Sequence, residues 1–143
     1  MRFQCQAGCT KCCEQKGFVY FTERDIVRAA EFLSLPGEKF ESRFIYRTRN
    51  TRRLRTPQTG QCIFLGDSGC SIHPVKPAQC RIFPFWPELV ESKKEWHETA
   101  AWCPGMGKGE FVQIEIAREQ AAEMRAAYPH MYKFGGANGA ARR

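Results

Sequence analysis

Eight cysteines carry the chemistry that this chain can do. Cys5, Cys9, Cys12 and Cys13 crowd the N-terminus with the spacing C-x3-C-x2-C-C, and Cys62, Cys70, Cys80 and Cys103 follow at wide intervals. A close-set group lets a tight turn aim several thiolates at one point, and later residues add ligands once the chain folds back. That division suits a metal centre that ties a fold together. Eight thiols fill two four-cysteine sites, or one polynuclear centre with several to spare, and spacing alone does not choose. Cys12 and Cys13 sharpen the question, because neighbouring side chains diverge on an extended backbone. On that geometry, either they serve different metal atoms or only one of them is a ligand.

Cysteine thiolates hold [2Fe–2S] and [4Fe–4S] clusters, and four in tetrahedral array serve zinc equally well. A disulfide framework is the third option, and the expected compartment weighs against it. The N-terminus reads MRFQCQAGCTKCC, without an apolar run of secretory-signal length. Nowhere do eighteen apolar residues run together, so no membrane span is expected. The expectation is a reducing cytoplasm, where dense cysteine means metal more often than disulfides. Cys5, Cys9 and Cys12 also match the triplet of radical S-adenosylmethionine enzymes. Those need a β/α barrel, and this chain has neither the length nor the alternation of strand and helix.

Charge and apolar bulk gather near the later cysteines. Arg81 and Lys76 can balance anionic thiolates, and an arginine beside such a site has donors to offer sulfur, which makes Arg81 the candidate cofactor contact. His73 lies between Cys70 and Cys80 and is a weaker ligand candidate than the thiols. The segment Cys80–Pro87 (CRIFPFWP) is dense in aromatics; it reads as core and as an apolar shell that keeps water from a metal.

The chain carries a net charge of +7. Six arginines, Arg43, Arg47, Arg49, Arg52, Arg53 and Arg55, fall within thirteen residues. Such a run reads first as a solvated face, and second as a surface for RNA, phosphate or an acidic partner. No glycine-rich phosphate loop or nucleophile elbow is present. Glu23/Asp25 and Glu95/Glu98 read as helix-face charges. Nothing outside the cysteines points to a reaction, and the enzyme question stays open.

At 143 residues, with 43% hydrophobic and 26% charged, the chain is the size of one globular domain. Gly17–Phe21 reads as a strand. Thr22 then caps a helix with Asp25 in a capping box, and Ile26, Ala29, Ala30 and Leu33 form its apolar face. Pro36 suits the first turn of a second helix anchored by Phe40, Phe44 and Ile45. Residues 48–60 read as a loop or solvent-facing hairpin. Cys62–Leu65 is an expected buried strand, residues 66–69 a turn, and Cys70–His73 the returning strand. Four prolines between Pro74 and Pro87 exclude a long helix there. Pro87 opens a short helix through Val90, and Ser92 caps another around Trp96. A last helix runs from Ile114 to Ala127 with Ile116, Ala117, Ala121 and Met124 on one face. Residues 135–143 read as a flexible tail. The expected fold is a small, irregular α+β domain over residues 1–134, its short strands and several helices packed around a cysteine-ligated metal centre.

Taken together, these motifs resemble the YkgJ-type cysteine-cluster family, the CxxxCxxCC proteins described as zinc- or iron-chelating. The resemblance rests on Cys5-x3-Cys9-x2-Cys12-Cys13, on GFVYFTERDI at 17–26, on CIFL at 62–65, on CSIHPVKPAQCRIFPFWP at 70–87 and on CPGMGKG at 103–109. It implies metal chelation by these cysteines and leaves zinc and iron open. A related cysteine motif is similar to that of flagellin lysine methylases, where it goes with an iron–sulfur cluster. That favours iron, while the family brings no settled reaction or substrate; the expected reading is a cluster of [4Fe–4S] type in redox, electron-transfer or modification chemistry with a redox or protein partner. The alternative is structural zinc, with the arginine run meeting RNA, phosphate or an acidic partner.

Overall fold

A computed structural model describes residues 1–15 and 17–132; the expected tail at 135–143 lies outside them. The class is α+β: helices of 4 to 14 residues and three two-stranded antiparallel sheets. The described residues form two compact units, residues 12–81 in one and residues 1–11 with 82–132 in the other.

In the 12–81 unit, helix α1 (Glu23–Phe32) starts as the sequence demands. Thr22 accepts from the Asp25 N–H at 3.1 Å, and the Asp25 carboxylate accepts from the Thr22 N–H at 2.9 Å. Ile26, Ala29 and Ala30 are buried. Helix α2 (Gly37–Phe44) follows, with Pro36 at its N-cap rather than inside the first turn. Strands β2 (Ile45–Arg47) and β3 (Arg52–Leu54) then form the solvent-facing hairpin. Its turn is held by Thr48 and Thr51, whose hydroxyls lie 2.6 Å apart. Residues 19–21 lie along the free edge of β3: Leu54 N–H donates to Val19 at 2.8 Å and Phe21 N–H to Arg52 at 2.7 Å. The expected strand there is thus extended chain with one formal bridge, Tyr20 to Arg53.

Phe40 is the centre of this unit's core. It packs on Phe21, Phe44 and Phe64, with ring centroids 6.0, 5.2 and 6.2 Å away. Only the end of the expected strand at 62–65 is strand: β4 (Leu65–Gly66) pairs with β5 (Gly69–Cys70). The return does not run on to His73, because His73–Val75 turns into a short 3-10 helix that accommodates Pro74. Helix α3 (Ala78–Ile82) follows, short enough to fit between Pro77 and Pro84.

Two buried polar side chains tie α3 down. Asp25 accepts from the Ala78 N–H at 3.3 Å as well as from Thr22. Gln79, with no exposed surface, accepts from Tyr20 N–H at 2.9 Å and donates to the Phe18 carbonyl at 3.1 Å. A buried amide in that position is retained because it satisfies two backbone groups that the strand edge leaves open.

In the other unit, β1 (Arg2–Phe3) pairs with β6 (Met106–Phe111), a strand that the glycine-rich sequence hides. A Cβ at Gly105 would meet the Gln4 carbonyl oxygen at 2.5 Å, so only glycine lets the two segments approach. Helix α4 (Pro87–Val90) opens on its proline, and α5 (Lys93–Ala100) is capped by Ser92, which accepts from Glu95 N–H at 3.2 Å. Helix α6 (Ile114–Ala127) has the expected bounds and buries Ala117, Ala121 and Met124. Ile116 is a correction to the expected face: it is 47% exposed, one residue off that stripe. A final short helix, α7 (Pro129–Tyr132), places Tyr132 to donate to the buried Glu88 at 3.0 Å.

Replacing Gln79 with Leu strands the Tyr20 N–H and Phe18 carbonyl in an apolar setting, which is expected to cost about 2–4 kcal/mol. Replacing Thr22 with Ala removes one cap bond and is expected to cost about 1 kcal/mol. Equilibrium denaturation of the two variants checks the order. Equal losses would show that the Gln79 bonds contribute no more than an exposed cap.

Candidate metal centre

The thiols of Cys12, Cys13, Cys62 and Cys70 meet in the 12–81 unit. A 3-10 turn over Lys11–Glu14 carries the adjacent pair. Successive side chains on such a turn still point about 120° apart, yet the Cys12 and Cys13 thiols interact with each other. Cys62 is brought in by its own backbone, whose N–H donates to the Cys13 carbonyl at 3.0 Å. Cys70 comes back through the β4–β5 hairpin, locked by Ser71, whose N–H and hydroxyl both reach the Phe64 carbonyl at 2.8 and 3.0 Å.

Cys13 is the hub. Its thiol is in hydrogen-bond contact with Cys12, Cys62 and Cys70. Hydrogen bonds to Cys12, then Cys62 and Cys70, hold its proton and push it far above the ordinary cysteine value, with burial acting the same way. Cys70 goes the other way, down to about 7. The Cys13 hydrogen bond is the main cause; burial opposes it, and the Ile72 N–H and the Lys76 charge assist. Cys13 therefore holds its proton more tightly than Cys70 does.

All four residues are half-buried, and Cys62 and Cys70 pack against the core around Phe64 and Ile72. Four soft sulfur donors, one with a lowered proton affinity, beside an apolar wall and a lysine, suit zinc or an iron–sulfur cluster. The thiols hydrogen-bond to one another rather than surround a finished ion position. Among the described residues, no three His, Cys, Asp or Glu side chains form such a ready-made shell.

The other candidates fall elsewhere. Cys80, on α3, is half-buried against the same unit's core. Cys5, Cys9 and Cys103 belong to the other unit: Cys5 is exposed, Cys9 follows a turn closed by its N–H to the Gln6 carbonyl at 3.1 Å, and Cys103 is buried just after α5. Arg81 is exposed on the last turn of α3. His73 is exposed and lies 3.4 Å from Lys76. The Lys76 charge acts on Cys70 through space and favours its thiolate. The aromatics after Cys80 build the core of the other unit, where Phe83 packs edge-on to Trp86 at 5.2 Å and stacks on Trp102 at 5.7 Å.

The arginine run divides by its acidic partners. Arg47 bonds Glu41 at 2.8 Å and Glu23 at 3.0 Å, and Arg52 pairs with Glu23. Partial burial pushes Glu23 up, but the Arg47 hydrogen bond and the charges of Arg52 and Arg47 outweigh it and hold the carboxyl below its usual range. Arg49 and Arg55 are exposed.

With this geometry, the comparison with known families is informative. Residues 4–104 match the family CxxCxxCC, "Putative zinc- or iron-chelating domain", and the match contains all eight cysteines. The chain belongs to that family, and metal binding through cysteine follows from membership. No solved structure matches the chain. Among the described residues no helix is long and apolar enough to cross a membrane.

A carboxyl lowered in the folded state contributes stability above its unfolded value of about 4.3, and that contribution is lost as pH falls through the lower folded value. Between about pH 5 and pH 3, the parent is therefore expected to lose more stability than Glu23→Gln in paired urea titrations. Parallel curves would show that the Glu23 pairs are screened out.

Proposed function

We propose that the protein holds an iron–sulfur cluster of [4Fe–4S] type and serves redox or modification chemistry with a protein partner. The observation that carries this reading is the meeting of Cys12, Cys13, Cys62 and Cys70 in one half-buried place. A cluster bound by these sulfurs supplies one-electron chemistry. The chain's own part is to hold and tune it. Cys13 gives up the proton it shares with its neighbours, Lys76 offsets thiolate charge, the Ile72 N–H donates to the Cys70 sulfur, and Phe64 and Ile72 limit water.

The ligand role extends to Cys5, Cys9, Cys80 and Cys103 on the ground that the family match spans them, and residues 1–134 are proposed as one functional domain, of which the match covers 4–104. Arg81, next to Cys80, is proposed to donate to cluster or ligand sulfur. A reducing cytoplasm suits a chain with eight cysteines that serve as metal ligands.

Elemental analysis and an absorbance spectrum on protein purified without oxygen test the reading. Iron with acid-labile sulfide and a brown colour are expected, with a weaker or shifted band in Arg81→Ala. Stoichiometric zinc in a colourless protein that unfolds with chelator would replace the cluster by a structural ion. An unchanged band in Arg81→Ala would remove Arg81 from the site.

A further inference from the structure

The outward face of the sheet in the 12–81 unit has a use that the thiols do not explain. Strand alternation sends Val19, Phe21, Ile45 and Leu54 into the core, where all four are buried. The opposite face carries Phe18, Tyr20, Arg53 and Tyr46. Arg53 is the register partner of Tyr46 on one side and of Tyr20 on the other. Its guanidinium lies over two rings, 3.9 Å from the centroid of Phe18 and 4.8 Å from that of Tyr46. Tyr20 meets Phe18 edge-on at 6.3 Å. Phe18 is 40% and Tyr46 47% exposed, so large ring area faces solvent on a surface held rigid from behind. The buried Gln79 fixes the backbone at both Phe18 and Tyr20.

The segment that forms the hairpin and follows it is basic. From residue 42 to residue 66 the sequence has six arginines and no carboxylate. Glu23 and Glu41 take up Arg47 and Arg52. Exposed Arg49 sits in the hairpin turn, and exposed Arg55 follows Arg53 by two residues along the chain from β3.

We propose that this face is a platform for single-stranded nucleic acid, with bases stacking on Phe18 and Tyr46 and phosphates meeting Arg49 and Arg55. Flat aromatic and guanidinium surfaces on a sheet, edged by positive charge, are what stacking of unpaired bases needs. An acidic peptide fits less well. It offers carboxylates but no π-face, and the Arg53 guanidinium is already engaged by the Phe18 and Tyr46 rings.

Fluorescence anisotropy of the full-length, metal-loaded protein with labelled oligouridine and oligothymidine of equal length tests this. Binding is expected at low salt, and preference for oligouridine would mark RNA while parity would mark either strand type. Phe18→Leu/Tyr46→Leu should weaken binding about tenfold or more, since each stacked base contributes about 1–3 kcal/mol. Arg49→Gln/Arg55→Gln should reduce the slope of log affinity against log salt by about 1.4, at about 0.7 per phosphate on single strands. Metal content and circular dichroism equal to the parent report that the variants are folded. Should the double variant not fold, half-exposed Tyr46→Leu alone carries the test. No binding at low salt, full binding by the leucine variants, or equal competition by poly-glutamate would overturn the proposal, the last in favour of an acidic protein partner. These readouts do not depend on whether the metal is iron or zinc.

Discussion

Cys13 makes hydrogen bonds to three other thiols, and the 12–81 unit is arranged around the need to bring those four sulfurs together. Thiols are poor donors and acceptors, so their mutual bonds contribute little by themselves. The convergence is imposed by stronger devices: a 3-10 turn, the Cys62 N–H on the Cys13 carbonyl, and a hairpin latched by Ser71. Backbone hydrogen bonds and a phenylalanine core hold in place a donor set that would otherwise avoid itself, since thiolates repel one another. A bound cation removes that repulsion, which is why metal and fold are coupled in such a site.

The same unit shows how buried polar groups place functional elements. Asp25 closes the N-terminus of α1 and also takes the first N–H of α3. Gln79 joins α3 to the strand segment before α1. Cys80 and the outward-facing Phe18 and Tyr20 are thus set by side chains that are themselves neither ligands nor surface. These hydrogen bonds explain why a five-residue helix, too short to be stable alone, stays in place.

Local chemistry was legible where one residue type decides the outcome. Thr22 with Asp25, Ser92, and Pro87 mark helix starts because caps and prolines act within a turn, and α6 carries a clear periodic pattern. The thiols could be named as ligand candidates from type and spacing, whereas their grouping could not. The contact of Cys12 with Cys13 and the partnership with Cys62 and Cys70 depend on turns distant in sequence, which spacing does not encode. Strand β6 was hidden because Gly107 and Gly109 have no strand propensity, and Gly109, with Gly105 just before it, makes room for Gln4 beside β1. The platform of Phe18, Tyr46 and Arg53 was equally illegible. Its residues are far apart in sequence and meet through strand register, so the arginine run alone gave only a charge.

The central claim is that Cys12, Cys13, Cys62 and Cys70 hold the metal together. Thiol-alkylation mass spectrometry on protein purified without oxygen tests it most directly, with metal counted in the same sample. The account predicts that these four cysteines resist alkylation while metal is bound and react together once a chelator removes it. Rapid labelling of all four with the metal still in place would contradict it.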